Sequence, residues 1–322
     1  MSDFPVLIPS PTLPLIAEEL SKQFSVFKLW EYPDERAFLT DNARKIRAIA
    51  GSIHVRRVDE TFMKLFPNLQ IVSNFGVGID GVDIAYASRN NIIVTNTPDV
   101  PTEEVADLAI GLLLSTVRQL PQADAYLRAG KWLNGAFRPT ATLRGRTMGI
   151  LGLGRIGKAI AKRAESFGIK IAYSGRSKQA DVDYPFYGDL AAMARDVDTL
   201  MIVAPGGEST RRIVNKDVID ALGPNGVLIN VSRGTIVDET ALIEALKANK
   251  ILGAGLDVFE YEPKVPADLI AMDNVVLLPH VGSASIEARR AMGQLTIDNI
   301  IAFAAGKGPL TPIPETPWKK DN

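Results

Sequence analysis

The stretch 277–285, "LLPHVGSAS", sets His280, one of only two histidines in the chain, between a proline and a Val-Gly-Ser loop, just after the apolar run "NVVLL". A strand end beside a loop holds a reactive side chain firmly and leaves it reachable. Two other strand-end stretches carry matching chemistry: Arg233 in "NVSRGTIVDE" and Glu262 in "GLDVFEYEP". An arginine fork grips a carboxylate and polarises a keto oxygen beside it, and an imidazole can donate a proton to that oxygen. A carboxylate next to the imidazole favours its charged form and orients the ring.

A second constellation reads as a dinucleotide site. "MGILGLGRIGKAIAKRAESFG" places Gly152, Gly154 and Gly157 in G-x-G-x-x-G spacing. The first glycine permits a tight turn, the second lets backbone approach a pyrophosphate, and the third lets a helix pack on the preceding strand. Leu153, Arg155 and Ile156 complete the loop, which opens a helix whose N-terminal N–H groups face the phosphates. The pattern alone is weak and could be a packing turn. Here a strand precedes it, a helix follows, and a second strand, "IKIAYSG", closes the unit.

The tip of that second strand selects the cofactor. NAD units commonly place Asp or Glu there to accept hydrogen bonds from the ribose hydroxyls. This chain reads "YSGRSK", with Ser174, Arg176, Ser177 and Lys178 offering hydroxyls and positive charge suited to a 2′-phosphate. NADP is therefore the predicted cofactor. With it, Arg233, Glu262 and His280 make a set coherent for reducing a 2-keto acid, His280 acting as general acid when hydride arrives.

Composition narrows the alternatives. At 322 residues, 46% hydrophobic and 23% charged, the chain can bury two ordinary cores. A net charge of -1 gives no reason to expect nucleic acid or an anionic membrane as partner. The absence of cysteine excludes disulfides, thiolate metal sites and a cysteine nucleophile, and fits a reducing compartment. Two histidines far apart in sequence give no metal-ligand spacing, and no G-x-S-x-G elbow appears. The N-terminus lacks signal-peptide character and no apolar run approaches a membrane span, so the expected location is cytoplasmic.

The elements that must position these residues come in two successive sets. Short apolar runs alternate with helical stretches from residue 5 to "IIVTNTP", and the alternation restarts at Thr147. This predicts an α/β chain of two doubly wound parallel-sheet domains with a crevice between them. The segment "TEEVADLAIGLLLSTVRQLPQADAYLRAGKW" between them has helical spacing, opened by Thr102 as an N-cap. The proline-rich end, "GPLTPIPETPWKKDN", reads as an extended, poorly ordered tail.

Taken together, "GLGRIG", "NVSRGTIVDETAL", "GAGLDVFEYEP" and "LLPHVGSAS", in that order over nearly the whole chain, resemble the D-isomer-specific 2-hydroxyacid dehydrogenase family. The resemblance implies a substrate domain of flavodoxin-like form at 1–99, completed by 287–322. A Rossmann cofactor domain at 100–286, carrying a dimerisation segment, is inserted into it. It assigns Arg233, Glu262 and His280 to the roles argued above, sets Ser232 and Asp257 beside the nicotinamide, and counts Gly282 among the cofactor-binding residues. Ala204, Pro205 and Thr210 border the cofactor in this scheme, although the diglycine Gly206–Gly207 departs from the Leu-Thr of many relatives. "SNFGVGIDGVD" is similar to the loop whose Val77 and Gly78 N–H groups meet the substrate carboxylate. Ser52, Ile53 and Ser283 border the substrate pocket, and His54 either lines that cleft or is a structural or surface histidine.

Within the family, Glu262 stands where the formate dehydrogenase branch has Gln, and the "YSGRS" turn is similar to glyoxylate/hydroxypyruvate reductases. The expected reaction is NADPH-dependent reduction of glyoxylate to glycolate and of hydroxypyruvate to D-glycerate, with NADH a poorer substitute. Hydroxyphenylpyruvate or phenylpyruvate reduction is the neighbouring alternative, on a stretch like "DVDYPFYGDL". A dinucleotide-sensing corepressor is the alternative of another class. Trp132, Leu133 and Phe137 are read first as interface or local packing in a homodimer, and second as residues finishing a substrate pocket.

Overall fold

Val- and Ile-rich runs too short for a helix, each followed by an amphipathic stretch, form parallel strands joined by helical crossovers. The computed structural model describes residues 2–53 and 55–319, so the reading of His54 lies outside the described residues. The chain divides into two compact units, Met1–Pro101 with Ser285–Asn322, and Thr102–Ala284.

The first unit holds β1 (Ser2–Ile8), β2 (Phe24–Lys28), β3 (Ala48–Gly51), β4 (Ile71–Asn74) and β5 (Ile93–Thr95). They pair in the order β2-β1-β3-β4-β5, all in parallel, which is the flavodoxin-like winding. The long helix Ile286–Ala304 returns to this unit and packs on β4 and on the helix Pro14–Ser21. Ser285 caps it, its hydroxyl accepting the N–H of Ala288 at 3.1 Å.

The C-terminal segment corrects the expectation of a poorly ordered tail. Ile313 donates its N–H to Val94 O at 2.9 Å, Thr316 accepts the N–H of Val94 at 2.9 Å, and both side chains are buried. The cause is β5, an edge strand whose outer N–H and C=O groups need partners. Proline does not prevent this, because Pro312 only bridges Thr95 and donates nothing.

The second unit holds β6 (Thr147–Leu151), β7 (Lys170–Ser174), β8 (Phe186–Tyr187), β9 (Thr199–Ile202), β10 (Val227–Asn230), β11 (Gly253–Leu256) and β12 (Val275–Leu277). Their order, β12-β11-β10-β9-β6-β7-β8, reverses direction between β6 and β9. Ligands of open α/β sheets sit beyond the carboxyl ends at such a switch point. Apolar clusters cover both faces of the sheet, which is why Ile150, Met201, Leu228 and Ile229 are fully buried. Each such side chain contributes about 1.5–3 kcal/mol against exposure.

The segment from Thr102 is not one helix. It forms Thr102–Arg118, with Thr102 as its first helical residue, and Leu120–Arg128, broken at Gln119 with a φ of 52°. Pro121 explains the break: without an N–H, and with its ring against the carbonyl four residues back, it suits a first turn and not an interior.

Candidate active site

Immediately after β6 the chain turns through Gly152 at φ +98°, where a Cβ would lie 2.7 Å from the backbone of Ala204. Gly157 is as constrained, since its Cβ would lie 2.4 Å from Gly152 O. Gly154 differs. A Cβ there meets nothing within 4 Å, so this exposed glycine leaves room over the loop while the other two serve packing. The helix Arg155–Glu165 begins at once, with Gly154 as N-cap and no side-chain cap. Open space above backbone at an uncapped helix start suits a pyrophosphate. Leu153 is buried, Arg155 exposed and Ile156 half-buried along this loop.

At the neighbouring strand end, Ser174 is buried and its carbonyl accepts the N–H of Gly152 at 2.9 Å, joining the two turns. Arg176, Ser177 and Lys178 follow, all exposed. No acid stands between Ser174 and Gln179, so nothing there repels a phosphate.

Asn230 ends β10 with its side chain buried, and it shapes the turn that presents Arg233. Its amide donates to Arg233 O at 2.9 Å and accepts the N–H of Ser232 at 3.1 Å. The Ser232 hydroxyl donates to Ala204 O, and one Arg233 guanidinium N–H donates to Ser232 O at 2.7 Å. Gly234 is required here, because any Cβ would collide with the Phe259–Glu260 backbone. The loop after β9 is closed on itself: the Thr210 hydroxyl donates to Pro205 O at 2.8 Å, with Gly207 O at 3.1 Å. Glu260, with its side chain only 5% exposed, ties this loop to the one after β11 by pairing with Arg211 and Arg212.

Asp257, one residue beyond β11, grips three consecutive N–H groups. Its carbonyl accepts from His280 at 2.8 Å, and its two carboxylate oxygens accept from Val281 at 2.7 Å and Gly282 at 2.8 Å. The side chain is 1% exposed. Burial pushes its carboxyl above the ordinary range, and the two N–H bonds pull it back in part. A Cβ on Gly282 would lie 3.1 Å from that carboxylate, hence the glycine. Ser283, two residues before the helix cap, is half-buried.

The grip holds His280 in the left-handed region, at φ 54°, one that histidine tolerates better than a branched residue. Its Nδ1 lies 2.7 Å from Oε2 of Glu262. The other carboxylate oxygen, Oε1, accepts the N–H of Phe259 at 3.1 Å. Both side chains are about one-third exposed, enough to be reached and little enough to be held.

In the first unit, the buried Asn74 at the end of β4 organises the predicted substrate loop. Its amide donates to Gly76 O at 3.1 Å and Gly78 O at 2.9 Å, and its oxygen accepts the N–H of Ile53 at 3.4 Å. Val77 is exposed, Gly78 and Ser52 are half-buried, and Ile53 is buried. Ile53 packs where a Cβ on Gly81 would stand, 2.8 Å from its carbonyl.

Asn74, Asn230, Glu260 and the holding role of Asp257 were missed from sequence. One signal was available: each asparagine is a polar residue closing a wholly apolar or small-residue strand, where only a turn can use it. A cavity of about 490 Å³ between Arg118, Arg144 and Phe167 lies at the amino ends of β6 and β7, opposite the glycine loop. It takes no part in this constellation.

Known proteins carry the same arrangement of sequence. Residues 110–282 match the family model for the NAD binding domain of D-isomer specific 2-hydroxyacid dehydrogenases. A hydroxyphenylpyruvate reductase of Plectranthus scutellarioides is 46% identical over 96% of this chain and 98% of its own. A glyoxylate/hydroxypyruvate reductase of Arabidopsis thaliana is 46% identical over 97% of this chain and 100% of its own. The crystal structure of an NADPH-dependent glyoxylate/hydroxypyruvate reductase from Sinorhizobium meliloti, in complex with NADP and malonate, superposes with a TM-score of 0.93 at 48% identity, each chain wholly covered. With a family model over more than half of the sequence and relatives this similar along their full length, the chain belongs to the D-isomer-specific 2-hydroxyacid dehydrogenase family.

Proposed function

We propose that this enzyme reduces small 2-keto acids with NADPH, glyoxylate to glycolate and hydroxypyruvate to D-glycerate. The observation that carries the reading is the 2.7 Å pairing of His280 with Glu262 at a strand end of the same sheet that bears the glycine loop. The cofactor, held by Gly152, Leu153, Gly154, Arg155, Ile156 and Gly157, supplies hydride to the keto carbon. With Nδ1 of His280 bonded to the carboxylate, Nε2 is the nitrogen that gives its proton to the keto oxygen. Glu262 keeps the ring in that orientation and balances its charge. Arg233, on the turn set by Asn230, binds the substrate carboxylate and draws electron density toward the keto oxygen.

Ser174, Arg176 and Ser177 take the 2′-phosphate, while Ala204, Pro205, Ser232 and Gly282 shape the rest of the cofactor site. Asp257 acts through the loop it holds. The first unit is assigned to substrate, with Ser52, Ile53, Val77 and Gly78 as its contacts, and in the second unit Ser283 is assigned to substrate as well. That assignment is supported by the glycine-flanked loop that Asn74 fixes.

A second reading, reduction of hydroxyphenylpyruvate or phenylpyruvate, is favoured by the 46% identity to the Plectranthus enzyme. Pocket shape alone separates it from the first. The test is the oxidation rate of NADPH and of NADH with glyoxylate, hydroxypyruvate, pyruvate, phenylpyruvate and 4-hydroxyphenylpyruvate in turn. Fast NADPH-linked turnover of the first two is expected. An aromatic preference would move the enzyme to the second reading, and no turnover with any acid would overturn both.

We also propose a cytoplasmic homodimer. Among the described residues no helix is long and apolar enough to cross a membrane. The helix Leu120–Arg128 buries none of its residues; its Leu120 and Leu127 and, just after it, Trp132 and Leu133 are all exposed. A surface of that kind is ordinarily covered by a partner. Sedimentation at micromolar concentration should give twice the chain mass, and a monomer there would refute the dimer.

A further inference from the structure

The loop 175–181 carries Arg176, Ser177 and Lys178 with their side chains in solvent. Long exposed cations bind an anion well only when the backbone beneath them is already placed. Beneath this loop, two short hydrogen bonds converge on one residue. The Gln179 side-chain amide donates to Leu153 O, on the glycine loop, at 2.7 Å. Its backbone N–H donates to the hydroxyl of Tyr173, also at 2.7 Å. Tyr173 lies on β7 and is only 1% exposed, wedged against Phe186 with ring centroids 5.3 Å apart. The acceptor is thus fixed in the core.

We infer that Gln179 is a positioning residue that sets cofactor selectivity, linking the β7 loop to the glycine loop so that Arg176 and Ser177 stand ready for the 2′-phosphate. The inference rests on the NADP reading above and deepens it. Glutamine suits the place because its amide can donate to a carbonyl without bringing charge beside a phosphate. Glutamate could not donate when ionised and would repel the anion. The nearby pair of Lys158 with Asp181, 2.6 Å apart, adds a third tie, but both side chains are exposed and such pairs contribute little. The two bonds of Gln179 carry the loop.

The test is equilibrium binding of adenosine 2′,5′-bisphosphate, 5′-AMP, NADPH and NADH to the purified full-length chain and to the variants Gln179→Leu, Tyr173→Phe and Arg176→Ala. Gln179→Leu should weaken the bisphosphate and NADPH about tenfold, or 1.4 kcal/mol. It should weaken 5′-AMP and NADH by no more than about threefold, because the phosphates they share with NADPH rest on the glycine loop. Tyr173→Phe should act in the same direction, and it carries the test should Gln179→Leu not fold, since it removes one oxygen only. Equal weakening of all four ligands would mean a merely structural role and overturn the inference, as would unchanged binding. The NADP reading fails separately: the wild-type chain would then bind the bisphosphate no better than 5′-AMP, or Arg176→Ala would leave that preference intact.

Discussion

Nδ1 of His280 and Oε2 of Glu262 lie 2.7 Å apart, while Oε1 of the same carboxylate accepts the N–H of Phe259 at 3.1 Å. The glutamate is therefore fixed by backbone on one side and fixes the imidazole on the other. Glu262→Gln keeps the shape and removes the charge that balances a protonated ring. Turnover should fall about 10- to 100-fold, no more than the lower end of the roughly 10²–10⁴-fold that proton transfer contributes, because the imidazole itself remains. NADPH affinity should stay within about twofold, because Glu262 holds the histidine and not the glycine loop. Steady-state kinetics beside a direct cofactor titration would show both, and a change confined to cofactor affinity would contradict the assignment.

The three glycines of the fingerprint should separate by mutation. Gly152→Ala and Gly157→Ala force a Cβ to 2.7 Å and 2.4 Å from backbone atoms, the first also at φ +98°. Each should destabilise the fold by roughly 1–3 kcal/mol, as overpacking does. Gly154→Ala meets nothing within 4 Å and should leave the melting temperature near wild type while weakening NADPH at least tenfold. Equal destabilisation by all three would contradict the division.

This division shows what the sequence could and could not carry. The spacing of Gly152, Gly154 and Gly157 was legible because the fingerprint's strand and helix lie beside it in the chain, and so was the winding of both sheets. Arg233, Glu262 and His280 were legible as residue types at strand ends. What holds them was not. Asn230 and Asp257 act through bonds to backbone 3 and 25 residues on, and Glu260 through an ion pair with Arg211, 49 residues earlier; no local pattern records such pairings. The docked C-terminal segment was misread for the same reason: its partner, Val94, lies 222 residues earlier.

Asp257 should reveal itself by pH. Burial raises its carboxyl above the ordinary value of 3.8, so the native state holds this proton more tightly than the unfolded chain. Its contribution to stability is present below that ordinary value and is lost as pH rises through the folded one. Asp257→Asn should remove this slope from the acid side of the stability profile, read by chemical denaturation at several pH values. Asp257→Ala strands the N–H groups of Val281 and Gly282, at about 1–3 kcal/mol each. A profile for Asp257→Asn superposable on wild type would contradict the shift.

Arg233 should tolerate no lysine. A point charge on a flexible stem cannot reproduce a planar fork on a carboxylate. Arg233→Lys should lower kcat/KM for the keto acid at least tenfold, or about 1.4 kcal/mol, with NADPH affinity unchanged. Restoration of full activity by the lysine would argue for charge alone.

The most direct measurement is single-turnover oxidation of NADPH by glyoxylate in His280→Asn, beside NADPH titration of the same variant. Asparagine accepts the left-handed backbone found here at φ 54° and cannot donate the proton of an imidazolium. The rate should fall by about 10²–10⁴ while NADPH binds within about threefold of wild type. Turnover within tenfold of wild type, in a variant that still binds NADPH, would show that His280 is not the proton donor.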